Sequence, residues 1–174
     1  YYNAGTIKEA VTLLKEHPDA RVISGGSDVL IKIREGKMAG TSLVSIRDIK
    51  EMKGVQLMES GDIYIGAGTV FSHITADPII QECVPVLGEA VDQVGGPQVR
   101  NIGTIGGNVC NGAVSADSAP TLFSLNAMLR IADGTGGRMV PIKDFYLGPG
   151  KVALHQGDVL TYIVSPGKDY QVYH

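Results

Sequence analysis

The segment that decides the fold is Arg100-Asn-Ile-Gly-Thr-Ile-Gly-Gly-Asn-Val-Cys-Asn-Gly-Ala-Val-Ser-Ala-Asp117. Its glycines tolerate positive φ and let backbone N–H groups approach a ligand with no Cβ in the way. Polar side chains that can bind hydroxyls or phosphate oxygens lie among them, namely Thr104, Asn108, Ser115 and Asp117. A helix-like apolar run over residues 119–127 follows, so the segment is interpreted as a ligand loop that ends at a helix N-terminus. Taken alone, such a composition is more often a structural loop with tight turns.

A second loop of similar character lies upstream, at Val22-Ile-Ser-Gly-Gly-Ser-Asp-Val-Leu30. Residues 21–24 predict a short buried strand, residues 25–28 a turn, and residues 29–35 a helix. This order suits a phosphate, because the glycines permit a nest of N–H groups, Ser27 adds a hydroxyl and the helix dipole adds partial positive charge. Asp28 would repel an anion, so it is predicted to be the helix N-cap. An ordinary turn between a strand and a helix is the open alternative.

The remaining periodicity predicts an α+β fold. Thr6-Ile-Lys-Glu9 is a capping box ahead of an amphipathic helix, and residues 42–46 predict a strand parallel to the first one. Further on, the pattern predicts a hairpin at 55–58 and 63–66, helices at 69–76 (capped by Thr69), 78–83, 86–94 and 119–127, and strands at 128–132, 138–141 and 158–164. We therefore predict a small parallel βαβ subdomain over residues 1–53 and a larger antiparallel-sheet subdomain with flanking helices over residues 54–174.

Composition and charge narrow the class of protein. The chain has 174 residues, of which 44% are hydrophobic and 19% charged, and this is typical of a globular protein with a sizeable core. A net charge of −3 without a basic run argues against nucleic acid or a membrane surface as the partner, and no apolar run reaches the roughly 20 residues that span a bilayer. Cys83 and Cys110 are too few for an all-cysteine iron–sulfur cluster. They are predicted to be packed free thiols, so we expect a cytoplasmic protein.

No side-chain pattern predicts catalysis or metal binding by the protein itself. The four histidines show no metal-ligand spacing, and no GxSxG elbow is present. The segment Gly66-Ala-Gly-Thr-Val-Phe71 has a phenylalanine where the third glycine of a dinucleotide motif belongs. A bound cofactor would therefore carry the chemistry, and the residues alone point to a dianionic, nucleotide-like ligand.

The two loops, residues 22–30 and residues 101–112 continuing to Asp117, resemble the two FAD loops of the molybdenum hydroxylases. Gly96-Pro-Gln-Val-Arg-Asn101 and Phe145-Tyr-Leu-Gly-Pro-Gly-Lys-Val152 support the resemblance, which covers nearly the whole chain. The resemblance implies a p-cresol-methylhydroxylase-type FAD fold, with FAD between the two subdomains. Subunits of this family continue into a C-terminal domain. We expect that domain, with a flavin-contacting lysine that some relatives carry, to be absent because the chain stops at His174.

The resemblance also implies which residues would contact FAD. The first loop would cradle the pyrophosphate, residues 104–108 would complete the cradle, and Asp117 would match an acidic FAD contact of the family. Val94 and Leu160 fall where relatives place an aromatic and an aliphatic side chain against the isoalloxazine ring, but valine cannot stack as an aromatic ring does. The predicted set is Val22, Ile23, Ser24, Gly25, Gly26, Ser27, Asp28, Val29, Val94, Gly103, Thr104, Ile105, Gly106, Gly107, Asn108, Asn111, Ser115, Asp117 and Leu160.

The function that the resemblance implies is electron transfer within a larger oxidoreductase. A molybdopterin-containing subunit would oxidise a purine such as xanthine, a 2Fe-2S subunit would pass the electrons to FAD on this chain, and NAD would be reduced there. The alternative is a non-enzymatic nucleotide-binding or scaffold domain that has lost its flavin.

Overall fold

The computed structural model describes residues 1–37, 40–112 and 118–167, without the side chains of residues 27–29. The helices are α1 Ile7–Glu16, α2 Ser27–Arg34, α3 Phe71–Ala76, α4 Pro78–Cys83, α5 Pro85–Val91, α6 Pro97–Ile102, α7 Ile105–Cys110, α8 Ala119–Ser124 and α9 Ile142–Phe145. The strands are β1 Tyr2–Asn3, β2 Arg21–Ile23, β3 Leu43–Ser45, β4 Val55–Leu57, β5 Ile63–Gly66, β6 Met128–Ala132, β7 Arg138–Pro141, β8 Tyr146–Gly148, β9 Lys151–Val152 and β10 Val159–Ser165. Across these ranges, no helix is both long enough and apolar enough to cross a membrane.

The N-terminal part of the chain forms a parallel sheet with the strand order β1-β3-β2. Helix α1 begins after its N-cap Thr6, whose hydroxyl accepts the N–H of Glu9 at 3.1 Å. The Glu9 carboxylate reaches back to the N–H of Gly5 at 3.0 Å, so the predicted capping box is present with its return bond one residue further out. The buried face of α1 consists of Ala10, Val11 and Leu14. It packs over β3 and β10 and so joins the two parts of the chain.

The longer strands form an antiparallel sheet with the order β4-β5-β10-β6-β7. The central strand β10 is buried at every position except Tyr162, which matches its almost continuous apolar sequence. The predicted hairpin is the β4–β5 pair, and the predicted strands at 128–132 and 138–141 are β6 and β7. The α+β fold class is therefore confirmed.

Gly66 and Gly68 let another segment of backbone approach closely. A Cβ at Gly66 would lie 2.2 Å from the carbonyl oxygen of Met52, and the Gly68 N–H donates to that same oxygen at 2.8 Å. Only residues without a Cβ can accept a backbone at that distance. This close packing accounts for the two glycines that gave the interrupted dinucleotide pattern in the sequence.

Two local predictions are wrong in detail, and four short elements were not predicted. Thr69 does not cap the helix that follows it, because Val70 is the N-cap of α3 and the Thr69 hydroxyl bonds to the backbone of Gly54 instead. The segment interpreted as one loop contains the end of the short helix α6 and the whole of α7. Strands β1, β8 and β9 and helix α9 were not predicted; each has only two to four residues, too few to show a period in the sequence.

Candidate functional site

The two glycine-rich loops, far apart in the sequence, touch each other in space. A Cβ at Gly25 would lie 2.0 Å from the carbonyl oxygen of Ile102 and 3.2 Å from the Cα of Gly103. Backbone atoms cannot move aside as the end of a flexible side chain can, so the contact requires glycine at position 25. The start of α2 and the α6–α7 segment are thereby held side by side.

A cleft of about 1070 Å³ opens at this contact. Its volume is slightly above the range of about 300–1,000 Å³ that is usual for small-molecule and cofactor sites. The predicted site residues that line it are Val22, Ser24, Gly25, Gly26, Val94, Gly103, Thr104, Gly106, Gly107, Asn108, Asn111 and Leu160. Ile23 and Ile105 are buried and do not line it. Ser115, Asp117 and the side chains of Ser27, Asp28 and Val29 lie outside the described residues.

The first loop offers unpaired backbone donors. The N–H groups of Gly25 and Gly26 donate to no residue that the structure describes. Gly26 is buried and has a left-handed backbone with φ +83° at the N-cap of α2. A buried N–H group without a partner is rare in folded proteins and costs free energy. Together with the positive end of the α2 dipole, these two groups suit an anionic ligand.

The prediction that Asp28 caps α2 is wrong. The helix begins at Ser27, so Asp28 lies in the first helical turn, and Gly26 occupies the N-cap position without a side-chain bond. Sequence reasoning favoured aspartate because it is among the best N-cap residues. The N-cap position is occupied by glycine because the backbone there is left-handed, a conformation that glycine adopts without steric cost, and this turn brings the N–H groups towards the cleft.

The second loop contributes differently, because the N–H groups at the N-terminus of α7 already have hydrogen-bond partners within the protein. Its N–H groups are paired as follows: Ile105 with the Thr69 carbonyl at 3.1 Å, Gly106 with the Ala67 carbonyl at 2.9 Å, and Gly107 with the Thr104 hydroxyl at 3.1 Å. Three backbone donors that the glycine pattern suggested for a ligand are therefore used within the fold. The glycines serve close packing instead, since a Cβ at Gly106 would lie 2.6 Å from Ala67.

The second loop presents side-chain donors to the cleft. The Thr104 hydroxyl accepts from Gly107 and keeps its own proton to donate. Asn108 Oδ1 accepts from the Ser118 hydroxyl at 2.5 Å, which fixes the amide and leaves its NH2 group without a partner among the described residues. The cleft thus has backbone donors on one side and a hydroxyl and an amide on the other.

The charged residues around the cleft favour an anion. The cations that line it are Arg21, Lys32, Lys37 and Lys151, all exposed. Among the described lining residues the one acidic side chain is Asp158, and Arg138 pairs with it at 2.8 Å. In a protein whose net charge is −3, this clustering of cations concentrates positive potential at the cleft.

Apolar side chains line other parts of the same cleft. Val94 and Leu160 belong to one hydrophobic cluster and are 8% and 4% exposed. Phe71, which sequence reasoning used only to reject a motif, also lines the cleft and packs against Gly103. No sequence signal distinguished Phe71 from an ordinary core residue. The cleft can therefore hold a ligand that has an anionic part and a flat apolar part.

Cys110 lines the cleft without supplying a nucleophile. Both cysteines are free thiols, as predicted. Burial raises the pKa of Cys110 to about 12, so its thiol stays protonated at neutral pH. Burial, and next the nearby Cys110, raise the pKa of Tyr146 to about 12, and its hydroxyl donates to the Val109 carbonyl at 3.1 Å. Both side chains act as neutral packing groups.

An ion-pair network anchors the turn of residues 153–158 at the edge of the cleft. Arg138 Nη2 donates to Asp158 Oδ2 at 2.8 Å and to the Ala153 carbonyl at 3.2 Å. The same Asp158 oxygen accepts the backbone N–H of His155 at 2.8 Å. Arg138 Nη1 reaches Asp133 at 3.3 Å. The guanidinium thus joins the β6–β7 turn to the segment that enters β10.

Asp133 should make the folded state sensitive to acid. The Thr135 hydroxyl and backbone N–H, followed by Gly137 and Arg138, lower the pKa of Asp133 from 3.8 to about 2. Because the pKa is lower in the folded state, the stabilisation is complete above about pH 4 and is lost as the pH falls towards 2. We expect Asp133→Asn to unfold at lower urea concentration than the wild type at pH 7, with the difference shrinking between pH 4 and pH 2.

Urea unfolding at fixed pH values measures this difference. Asp19→Asn is the control for losing an exposed carboxylate, since Asp19 makes no hydrogen bond or ion pair with the described residues. A gap between Asp133→Asn and wild type that stays constant down to pH 2 would contradict the assignment.

A cleft between a small parallel sheet and a larger antiparallel sheet, with two loops that converge on it, defines a nucleotide-cofactor-binding module. Residues 1–168 match the family described as the FAD binding domain in molybdopterin dehydrogenase, and the chain belongs to this family. FAD is therefore its cofactor, as predicted. The unpaired N–H groups of Gly25 and Gly26, the surrounding cations and the apolar walls fit a ligand with a diphosphate and a flat ring system.

Individual relatives agree with the family assignment. A xanthine dehydrogenase FAD-binding subunit of Escherichia coli O157:H7 is 41% identical over 166 residues, which cover 95% of this chain and 57% of that protein. A nicotinate dehydrogenase FAD-subunit of Eubacterium barkeri is 31% identical over 174 residues, with 97% and 58% covered. The carbon monoxide dehydrogenase of Hydrogenophaga pseudoflava superposes with a TM-score of 0.92 at 32% identity, over 96% of this chain and 58% of that chain.

The structural match confirms the p-cresol-methylhydroxylase-type fold that the sequence resemblance implied. The chain spans a little over half the length of the curated relatives that it matches. The division into residues 1–53 and 54–174 stays a prediction, although the parallel sheet ends at Ser45 and the antiparallel sheet begins at Val55.

Proposed function

We propose that this chain is the flavin-carrying part of a xanthine-dehydrogenase-type molybdenum hydroxylase, an oxidoreductase in which it transfers electrons. The observation that carries the proposal is the contact between the two loops, with free N–H groups at Gly25 and Gly26 on the cleft beside it. When bound, FAD supplies a ring that accepts and releases electrons. The chain's own residues hold that cofactor, orient it and keep water from its faces.

The diphosphate is held mainly from the first loop. Gly25 and Gly26 donate their N–H groups, the α2 N-terminus adds positive potential, and the Thr104 hydroxyl and the Asn108 amide close the other side. These groups are fixed before the ligand arrives, because the Gly25–Ile102 contact and the Ser118–Asn108 hydrogen bond position them. Because the binding groups are preorganised, little conformational entropy is lost when the cofactor binds.

Val94 and Leu160 cover the flat part of the cofactor. Both side chains are aliphatic and nearly buried, so they exclude water through surface contact and not through ring stacking. The family resemblance implies an aromatic side chain at this position in relatives, which valine cannot replace as a stacking partner. We expect the contact on this side to be looser here, with a larger share of the affinity resting on the diphosphate cradle.

The wider function follows from the relatives' names and remains part of the proposal. The 41% identity with a xanthine dehydrogenase subunit supports a purine such as xanthine as the substrate of a molybdopterin-containing partner subunit. A 2Fe-2S subunit would deliver the electrons to this chain, NAD would be the acceptor, and the complex would be cytoplasmic. The nicotinate and carbon monoxide dehydrogenases among the relatives show that similar chains occur with other substrates.

Flavin uptake by the full-length protein tests the proposal. The purified protein should show a flavin absorption spectrum, and after removal of the cofactor it should quench the fluorescence of added FAD at a 1:1 ratio. Copurification with molybdopterin-containing and 2Fe-2S subunits, and NAD reduction by xanthine in that complex, test the finer assignment. A folded full-length protein that takes up no FAD would favour the alternative, a scaffold domain without flavin.

A further inference from the structure

The central strand of the large sheet is irregular where it borders the cleft. Strand β10 pairs Leu160 with Ile131 and Tyr162 with Arg130 on β6, so Thr161 has no partner across that ladder. This is the arrangement of a β-bulge, in which one extra residue bends the strand and turns neighbouring side chains. Val159 and Leu160 are both buried and both line the cleft, although neighbouring side chains in a regular strand face opposite sides.

Thr161 forms hydrogen bonds with the segments on both sides of β10. Its side chain is buried, and its hydroxyl donates to the Arg130 carbonyl at 3.0 Å across the bulge. Its own carbonyl accepts the N–H of Ala67 at 2.8 Å on the other side. The bulge is therefore locked by one side-chain and one backbone hydrogen bond, although the extra residue cannot join the ladder.

The bulge is also connected to the second glycine-rich loop. The Ala67 carbonyl accepts the N–H of Gly106 at 2.9 Å, so two consecutive hydrogen bonds run from Thr161 through Ala67 to α7. The wall formed by Leu160 and the loop that carries Thr104 and Asn108 are thus held in a fixed relation by one residue between them.

We propose that Thr161 is a positioning residue for the flavin site, and that its hydroxyl holds the bulge which presents Leu160 to the cofactor. This inference rests on the proposed function and adds to it a residue that lines no part of the cleft. Thr161 acts through Leu160. Its removal should therefore change the environment of bound FAD while the diphosphate cradle stays intact.

The test compares isosteric and conservative substitutions in the full-length protein. Thr161→Val removes the hydroxyl and keeps the shape; it should weaken FAD binding about tenfold and shift the absorption bands of bound flavin. Thr161→Ser keeps the hydroxyl and should stay within about twofold of the wild type. Thr12→Val is the control for the loss of a threonine hydroxyl, because it removes a hydrogen bond of similar length, to the Lys8 carbonyl at 2.9 Å, at an exposed position of α1 that does not line the cleft.

A double-mutant cycle decides whether Thr161 works through Leu160. Leu160→Ala should weaken FAD binding by a similar factor, and adding Thr161→Val to it should cost little more. Independent, multiplying effects would overturn the inference, as would wild-type affinity and spectrum in Thr161→Val. Weak binding by Thr161→Ser would overturn it even if the valine variant did not fold. Failure of the wild type to bind FAD would instead remove the proposed function, and this inference with it.

Discussion

Gly25→Ala should abolish FAD binding and destabilise the fold at the same time. The new Cβ would lie 2.0 Å from the Ile102 carbonyl oxygen and 2.8 Å from the carbonyl carbon. Both are backbone atoms at the C-terminal end of α6, so the loops have to separate. Overpacking of this kind costs about 1–3 kcal/mol of stability. We expect the affinity for FAD to fall at least about a hundredfold, because the free N–H groups lose their alignment with the opposite side of the cleft.

Urea unfolding and FAD fluorescence titration of the full-length protein measure the two effects of Gly25→Ala. Gly96→Ala is the matched control, since a Cβ there meets no atom of the described residues within 4 Å and its φ of −98° suits any residue. The control should retain stability and affinity. Normal FAD binding by Gly25→Ala would mean that the cofactor does not need the loops to touch, and the proposed cradle would be wrong.

The local signals in the sequence predicted most regular elements, because each depends on near neighbours. The capping box at Thr6 fixed the start of α1, and Pro78 after Asp77 fixed the start of α4, where the Asp77 side chain accepts the Ile79 N–H at 2.9 Å. Alternation of apolar residues identified β6. Such interactions are formed within one turn or one strand and can be seen without the rest of the chain.

The errors fall where a distant partner decides the conformation. Thr69 is a favourable N-cap residue, but its hydroxyl accepts the N–H of Gly54 and donates to the carbonyl of Gly54, so it does not cap α3. Helix α7 contains two glycines and has poor intrinsic helix propensity. It forms because Ala67, Thr69 and Thr104 satisfy its first N–H groups. Neither Thr69's partner nor the carbonyls of Ala67 and Thr69 could be assigned from spacing in the sequence.

The two loops that were predicted to converge do line one cleft, whereas the individual FAD contacts stay a prediction. Both loops were identified, and family resemblance, not periodicity, brought them together on one cofactor. From the sequence, all the glycines of the two loops were predicted to have the same role, whereas in the structure their roles differ. Gly26 leaves its N–H group unpaired at the cleft, Gly25 and Gly106 allow backbones to touch, and Gly107 leaves space in the cleft. These roles depend on what faces each Cα, which composition does not record.

Gly107→Val should abolish FAD binding while the fold survives, and the contrast with Gly25→Ala follows from the surroundings of the two glycines. Gly107 is exposed and lines the cleft, and among the described residues a Cβ there would meet the Thr104 hydroxyl alone, at 3.0 Å. Valine has a higher helix propensity than glycine, which offsets part of that tight contact, so we expect stability within about 1 kcal/mol of the wild type. Its two methyl groups would occupy space that the cofactor needs between Thr104 and Asn108.

In Gly107→Val, the affinity for FAD should therefore fall at least about a hundredfold while the circular dichroism spectrum stays unchanged. The control Gly96→Val should have the affinity and the spectrum of the wild type. Retention of FAD by a folded Gly107→Val variant would mean that the diphosphate lies elsewhere in the cleft. Binding would then depend on the first loop, where the N–H groups of Gly25 and Gly26 have no partner among the described residues. Loss of binding in both Gly25→Ala and Gly107→Val, with loss of stability in the first alone, is the result that requires a cofactor held between the two loops.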